Sequence, residues 1–183
     1  MKTRAVYWIM TEAVIILGID PGSTGGIAGL SYTGGLNFIH RFDGENTSVI
    51  IKKALVQGGM SIKVAIEAVH AMPAQGVSST FTFGVGYGRL QGVLDGAEIP
   101  YVLIHPQTWQ RVLPHAATAK AGVEEFCKGN WGLEPFMFPR CRRPHQGCMD
   151  AAVLADYYRQ VLLGERKLPE SRGKVVKRQP LKL

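Results

Sequence analysis

The chain has 183 residues, of which 46% are apolar and 19% charged; these proportions suit a folded domain and exclude a collagen-like repeat or wholesale disorder. That length is one domain's worth, and it buries a core without disulfide or metal staples. The formal net charge of +7 favours a polyanionic partner, although charge speaks to association and not to fold.

In chain order, residues 1–12 read as an N-terminal extension. Lys2 and Arg4 resemble the start of a signal peptide, but Thr11 and Glu12 interrupt the apolar stretch and Asp20 ends it, so no signal peptide is expected. The longest apolar run, 13–19, is far short of the roughly 18 residues of a membrane span. Residues 13–20 (AVIILGID) are rich in β-branched side chains and closed by Pro21-Gly22, the pattern of a strand buried on both faces. Segments 26–32 and 36–42 follow as strands joined by the turn Thr33-Gly34-Gly35, so the first three strands form an antiparallel meander. Residues 47–57 read as a helix stopped by Gly58-Gly59, and 62–69 (IKVAIEAV) as a second buried strand.

A loop through Pro73 and Gly76 leads to a helix over 79–96 and a strand over 101–105. Pro106 suits the first turn of a helix over 106–113. A helix over 118–131 has Thr118 as its N-cap. An irregular basic segment, 135–145, leads into a last helix, 147–163. The remainder, 165–183, is expected to be a flexible tail; its seven basic and two acidic residues carry +5 of the net charge. Strands first, then alternating helices and strands, indicate an α/β fold: a mixed five-stranded sheet covered by helices. Three cysteines, Cys127, Cys141 and Cys148, cannot all pair and fit a reducing compartment. Cys141, His145 and Cys148 form a C-x3-H-x2-C cluster, which is not a standard zinc spacing.

Two carboxylates break the apolar pattern. Asp20 ends the first buried strand and Glu67 sits within the fourth, where an ionised group is costly unless cations or hydrogen bonds compensate it. Asp20 is equally readable as the cap of its own turn. Glu67 in a strand interior has no such local job. A third acid, Asp150, opens the last amphipathic helix, where it is also readable as a complement to the helix dipole. If the first and fourth strands are neighbours, these acids can face one cleft.

Gly18-Ile19-Asp20-Pro21-Gly22, then Ile66-Glu67, then Asp150-Ala-Ala at the start of a late helix, resemble the RuvC-type Holliday-junction resolvases, especially their phage-encoded branch. His105-Pro106-Gln107-Thr108-Trp109 is similar to a segment that phage members carry after the fifth strand. The resemblance spans roughly residues 14–163 and implies a ribonuclease H-like nuclease domain over 13–164. It implies Mg²⁺, with Mn²⁺ able to substitute, held by Asp20, Glu67 and Asp150. The implied reaction is phosphodiester hydrolysis on four-way or other branched DNA, leaving 5′-phosphate and 3′-hydroxyl ends. It also implies a homodimer in the cytoplasm of a bacterium or phage-infected host, with no membrane and no nucleotide cofactor.

The family usually carries a fourth acidic or His position one turn before the residue matching Asp150. Here Gln146 and Gly147 lie four and three residues before it and His145 five, so Gln146 and His145 are the candidates for that catalytic role. Lys120 matches a basic position that supports catalysis or holds the scissile phosphate, and Arg111 follows the Trp109 motif. His70, with Met72, Phe81 and Phe83 as substitutes, corresponds to the family's aromatic wedge into the junction centre. Arg140, Arg142 and Arg143 are suited to a phosphate-contacting strip, since Arg binds phosphate as a bidentate fork. Gly84, Gly88, Gly92 and Gly96 put a bare face on one helix, readable as a dimer contact or as close packing within the subunit.

Two rival functions remain at this level. The GIDPGSTG stretch, residues 18–25, also resembles the phosphate loop of actin-like ATPases, which need a second such domain. The missing fourth acid raises a junction-binding protein without nuclease activity.

Overall fold

A computed structural model describes residues 14–42, 48–52, 61–70, 76–114 and 118–167. The expected extension, the tail beyond residue 167, Met72, and most of the expected 47–57 helix lie outside these residues; 48–52 is helical.

Five strands form one sheet: β1 (Val14–Asp20), β2 (Gly26–Ser31), β3 (Leu36–Arg41), β4 (Ser61–Glu67) and β5 (Tyr101–Ile104), in the order β3-β2-β1-β4-β5. β1–β2 and β2–β3 are antiparallel, while β1–β4 and β4–β5 are parallel. This is the ribonuclease H-like mixed sheet expected from the sequence. The β2–β3 turn closes with Gly34 at φ +92° and its N–H donating to the Ser31 carbonyl, a conformation that glycine adopts without steric cost.

The labelled helices are α1 (Val77–Gly96), α2 (Pro106–Trp109), α3 (Ala119–Trp131) and α4 (Gln146–Leu162). Alternate strand residues point to opposite faces of a sheet, and the core divides accordingly. Ile16, Ala28, Ala65, Val102 and Ile104 pack with α4 and with Trp109 and Val123 on one face. Leu17, Ile19, Ile27, Val64 and Ile66 pack with Leu90 and Leu94 of α1 and with Ile50 and Ile51 on the other. The result is a helix–sheet–helix sandwich.

Several boundaries differ from the sequence expectation, each for a local reason. β4 ends at Glu67 and not at residue 69, because its partner β5 ends at Ile104, which pairs with Glu67. Glu67 is therefore a strand-end residue and not an interior one, level with the end of β1. His105 leaves β5 to become the N-cap residue of α2, and the expected 106–113 helix tightens after Trp109 into a 3₁₀ turn, Gln110–Val112. α1 begins two residues earlier than expected, at Val77. α3 starts as expected: Thr118 Oγ1 accepts from the Ala121 N–H at 3.2 Å. α4 begins at Gln146 with His145 as its cap, so Asp150 lies in the second turn and does not open the helix. The dipole explanation for Asp150 weakens, since that field acts mainly on the first turn.

Candidate active site

The sheet's residue parity decides where the acids point. Ile16 faces α4, and so do Gly18 and Asp20, two and four residues on. Along β4, Ala65 faces α4 and Glu67 follows it by two. The parallel register pairs Ile19 with Ile66, so Asp20 and Glu67 come next on adjacent strands, which run about 5 Å apart. Both carboxylates thus leave the same face at the same end of the sheet.

The helix carrying Asp150 is seated on that face by glycines. A Cβ at Gly18 would collide with the Ala151 carbonyl oxygen and lie 2.6 Å from the Ala155 nitrogen. A Cβ at Gly26 would lie 2.5 Å from the Cys148 Cα. Gly25 and Gly147 form a bridge between the β1–β2 turn and the first turn of α4. This notch lets α4 lie almost directly on the backbone of β1 and β2, which brings Asp150 within reach of the Asp20 charge.

The electrostatics put Glu67 and Asp150 within reach of the Asp20 charge. Burial pushes the Glu67 carboxyl up to about 7; the charge of Asp20 adds to the rise, the Trp109 hydrogen bond opposes it, and Asp150 raises it further. Asp150 is also pushed up to about 7, first by burial; Gln146 donates to it and opposes the rise, Asp20 raises it, and Lys120 lowers it. Asp20 is raised by burial against a hydrogen bond from Gly22. Three desolvated like charges that feel one another behave as one coupled group.

Each acid is also tied to a protein donor. Asp20 Oδ1 accepts from the Gly22 N–H at 2.9 Å, Glu67 Oε1 from Trp109 Nε1 at 3.1 Å, and Asp150 Oδ1 from Gln146 Nε2 at 2.9 Å. The turn-cap reading of Asp20 therefore holds, with its carboxylate on the same sheet edge as Glu67. Among the described residues, no three His, Cys, Asp or Glu side chains are grouped so that they could hold a metal ion as they stand. The carboxylates are electrostatic neighbours, not a closed cage.

The other candidates are distributed around this edge. Lys120 is exposed at the start of α3, and its charge reaches Asp150. Gln146 touches Asp150 through its amide nitrogen, so it acts here as a donor to the acid. His145 caps α4, its Nδ1 accepting from the Cys148 N–H at 3.3 Å, and packs edge-on against Phe138 at 5.4 Å. Burial, and then Arg41, hold its pKa below the ordinary histidine value. Arg111 is exposed beside an open groove of about 300 Å³ lined also by Gln110, Pro114 and Thr118. Arg140, Arg142 and Arg143 are exposed, with Arg140 at φ +66°. His70 is exposed three residues beyond Glu67.

The Cys141, His145 and Cys148 side chains serve separate partners. Cys141 Sγ accepts from Arg41 at 2.9 Å, and Cys148 Sγ donates to the His40 carbonyl at 3.4 Å. Burial pushes the Cys148 thiol up to about 12, so it stays protonated.

On the opposite face, α1 buries only Leu90 and Leu94. At 100° per residue, Gly84, Gly88, Gly92 and Gly96 share the side opposite Leu90 with Val77, Phe81 and Val85. Phe81 is 74% exposed and Val77 87%, and among the described residues a Cβ at any of the four glycines would meet nothing within 4 Å. No described segment of the subunit packs closely on these glycines. Phe83 instead stacks on Tyr87, with ring centroids 6.2 Å apart.

Sequence reasoning missed two residues. Trp109 carries no sequence signal beyond its place in the His105–Trp109 motif, and its bond to Glu67 joins positions 42 apart. Arg41 pairs across the sheet with Gly26, on the rung that also holds Asp20, and its guanidinium lies 4.5 Å from the Phe138 ring centroid. An arginine ending a strand before a phenylalanine carries no local signal of that arrangement.

The chain matches no protein-family model and no curated protein sequence. Its fold is similar to that of Thermus thermophilus RuvC in complex with a Holliday junction substrate, with a TM-score of 0.58 and 16% identity over 82% of this chain and 96% of that one. A second Thermus thermophilus RuvC structure gives 0.57 and 20% over the same shares. The yeast mitochondrial Holliday junction resolvase gives 0.50 and 14%, over 86% of this chain and 82% of that one. At such identities the likeness establishes the fold. Among the described residues, no helix is long and apolar enough to cross a membrane.

Proposed function

We propose that the protein is a divalent-metal-dependent endonuclease that cuts four-way or other branched DNA, as a RuvC-type resolvase of the phage-like branch. The observation that carries this reading is the convergence of Asp20, Glu67 and Asp150 on one edge, where burial raises the pKa of all three and the neighbouring acids raise Glu67 and Asp150 further. Desolvated like charges held together at a cost to stability are a common sign of a site built for function. The fold of the resolvase neighbours and the net charge of +7 support a DNA partner.

The donor set fits a hard cation in its chemistry, three carboxylates and no soft ligand; the fit is not that of a preassembled cage. Asp20, Glu67 and Asp150 would hold Mg²⁺ or Mn²⁺. When bound, such a cation supplies Lewis acidity, easing deprotonation of water and neutralising charge at the phosphodiester. Lys120 would meet the scissile phosphate beside Asp150. Arg140, Arg142 and Arg143, with Arg111, would follow the flanking backbone and fix register without reading sequence. His70, exposed three residues beyond Glu67, would stack on an unpaired base. The glycine face of α1, with Val77, Phe81 and Val85, would receive a second copy of the chain, so that each subunit nicks one strand to leave 5′-phosphate and 3′-hydroxyl ends.

The test is a labelled four-way junction incubated with the protein and Mg²⁺ or Mn²⁺. Paired nicks are expected. Asp20→Asn, Glu67→Gln and Asp150→Asn should each lower the cutting rate by at least ~10³-fold while junction affinity stays within about twofold. Tight binding with no nicks under either metal would replace this reading with the junction-binding one.

A further inference from the structure

Trp109 is 2% exposed, at the C-terminal end of the four-residue α2 that turns down from β5. Its indole has a single donor, and a buried donor needs a partner. That partner is a carboxylate, Glu67 Oε1, at 3.1 Å. Packing accounts for the ring carbons, and the nitrogen is the part of this side chain that packing does not explain. The short helix is itself firmly anchored: Pro106 occupies its first turn, and the Thr108 and Trp109 N–H groups both donate to the His105 carbonyl. β5 delivers this turn in register, because Ile104 pairs with Glu67.

We propose that Trp109 is a positioning residue for Glu67, holding one carboxylate oxygen so that the group stays oriented toward Asp20 and Asp150 instead of rotating away from them. Two neighbouring acids repel Glu67, and a flexible three-torsion side chain at a strand end would relieve that repulsion by swinging out. One charge-assisted hydrogen bond from a locked, buried ring opposes the swing. Its consequence for DNA cutting rests on the nuclease reading; the positional claim does not.

The experiment has two arms, each with its own outcome. In the first, ¹⁵N-labelled protein without metal is compared with its Glu67→Gln variant, and the indole resonances are followed. The Trp109 indole, assigned by its loss in Trp109→Phe, should shift. The Trp131 indole donates to the Gly34 carbonyl at 2.9 Å, at the hairpin end of the sheet, and should stay in place as the internal control. A Trp109 resonance that does not move overturns the proposal, and this arm needs no activity. In the second arm, Trp109→Phe should cut a four-way junction ~10- to 100-fold more slowly in single turnover. Junction affinity should be unchanged, because only the orientation of one acid is lost. An unchanged rate overturns the proposal, whereas a wild-type chain that never cuts overturns the nuclease reading and leaves the first arm to decide. If Trp109→Phe does not fold, the Trp109 indole is assigned in the parent protein from its through-space contacts with neighbouring protons, and its shift or lack of shift in Glu67→Gln decides the proposal.

Discussion

Glycine serves opposite purposes on the two faces of this sheet. On the α4 face, Gly18, Gly26 and Gly147 are places where a single added carbon would strike backbone atoms of the facing segment. On the α1 face, a Cβ at Gly84, Gly88, Gly92 or Gly96 would meet nothing within 4 Å among the described residues. The first set is spent inside the fold, bringing Asp150 down onto the strand that ends in Asp20. The second set weakens a helix without a close contact to any described residue, since an interior glycine costs up to about 1 kcal/mol relative to alanine. The same residue type thus marks a closed contact in one layer and an open surface in the other, and sequence alone does not tell them apart.

The largest effect should come from closing the notch. Gly18→Ala forces α4 off β1 and should cost more than ~3 kcal/mol, as overpacking against backbone does. Chemical denaturation would read the loss, and a well-folded variant of unchanged stability would show that α4 is not seated by this contact.

A smaller effect concerns the charge that the notch creates. Glu67 and Asp150 have folded-state values near 7, above their ordinary carboxylate values, so between about pH 4 and 7 the folded state binds more protons than the unfolded one. By linkage, stability falls as pH rises through that window. The metal-free protein should therefore melt at a lower temperature at pH 8 than at pH 5.5. Glu67→Gln should recover on the order of 1–2 kcal/mol at pH 8 and flatten the profile. A melting temperature that rises steadily from pH 5.5 to 8, unaffected by this substitution, would mean that the acids do not repel one another.

The smallest effect belongs to the open face. Gly88→Ala should stabilise the isolated chain by up to about 1 kcal/mol. If a second copy seats on that face, the same change should weaken self-association in sedimentation equilibrium. Stabilisation with unaltered self-association would point the interface elsewhere.

How much of this was legible beforehand follows from the range of the interactions. The five strands and the antiparallel meander of the first three follow from short apolar runs and turn residues, which are local signals; the pairing of β1 with β4 is a long-range contact that these signals leave open. The acids stood out because a carboxylate among β-branched residues contradicts its surroundings. Placing Glu67 at the strand end required knowing where β5 stops, and seating α4 required knowing that glycines 100 or more residues apart in sequence face one another. The Trp109–Glu67 bond and the Arg41 contacts with Phe138 and Cys141 join residues 42 and about 100 positions apart, with no periodicity to announce them. His145 and Gln146 were recognisable as neighbours of the site acid, but their tasks, a helix cap and a donor to Asp150, depend on α4 starting one residue earlier than its pattern indicates.

The most direct test of the shared carboxylate edge is side-chain carbonyl ¹³C NMR across a pH titration of metal-free protein, with and without Asp20→Asn. Glu67 and Asp150 should titrate near 7 in the parent chain, and both should move down when the Asp20 charge is removed. Ordinary carboxylate values for both, unmoved by Asp20→Asn, would contradict the account.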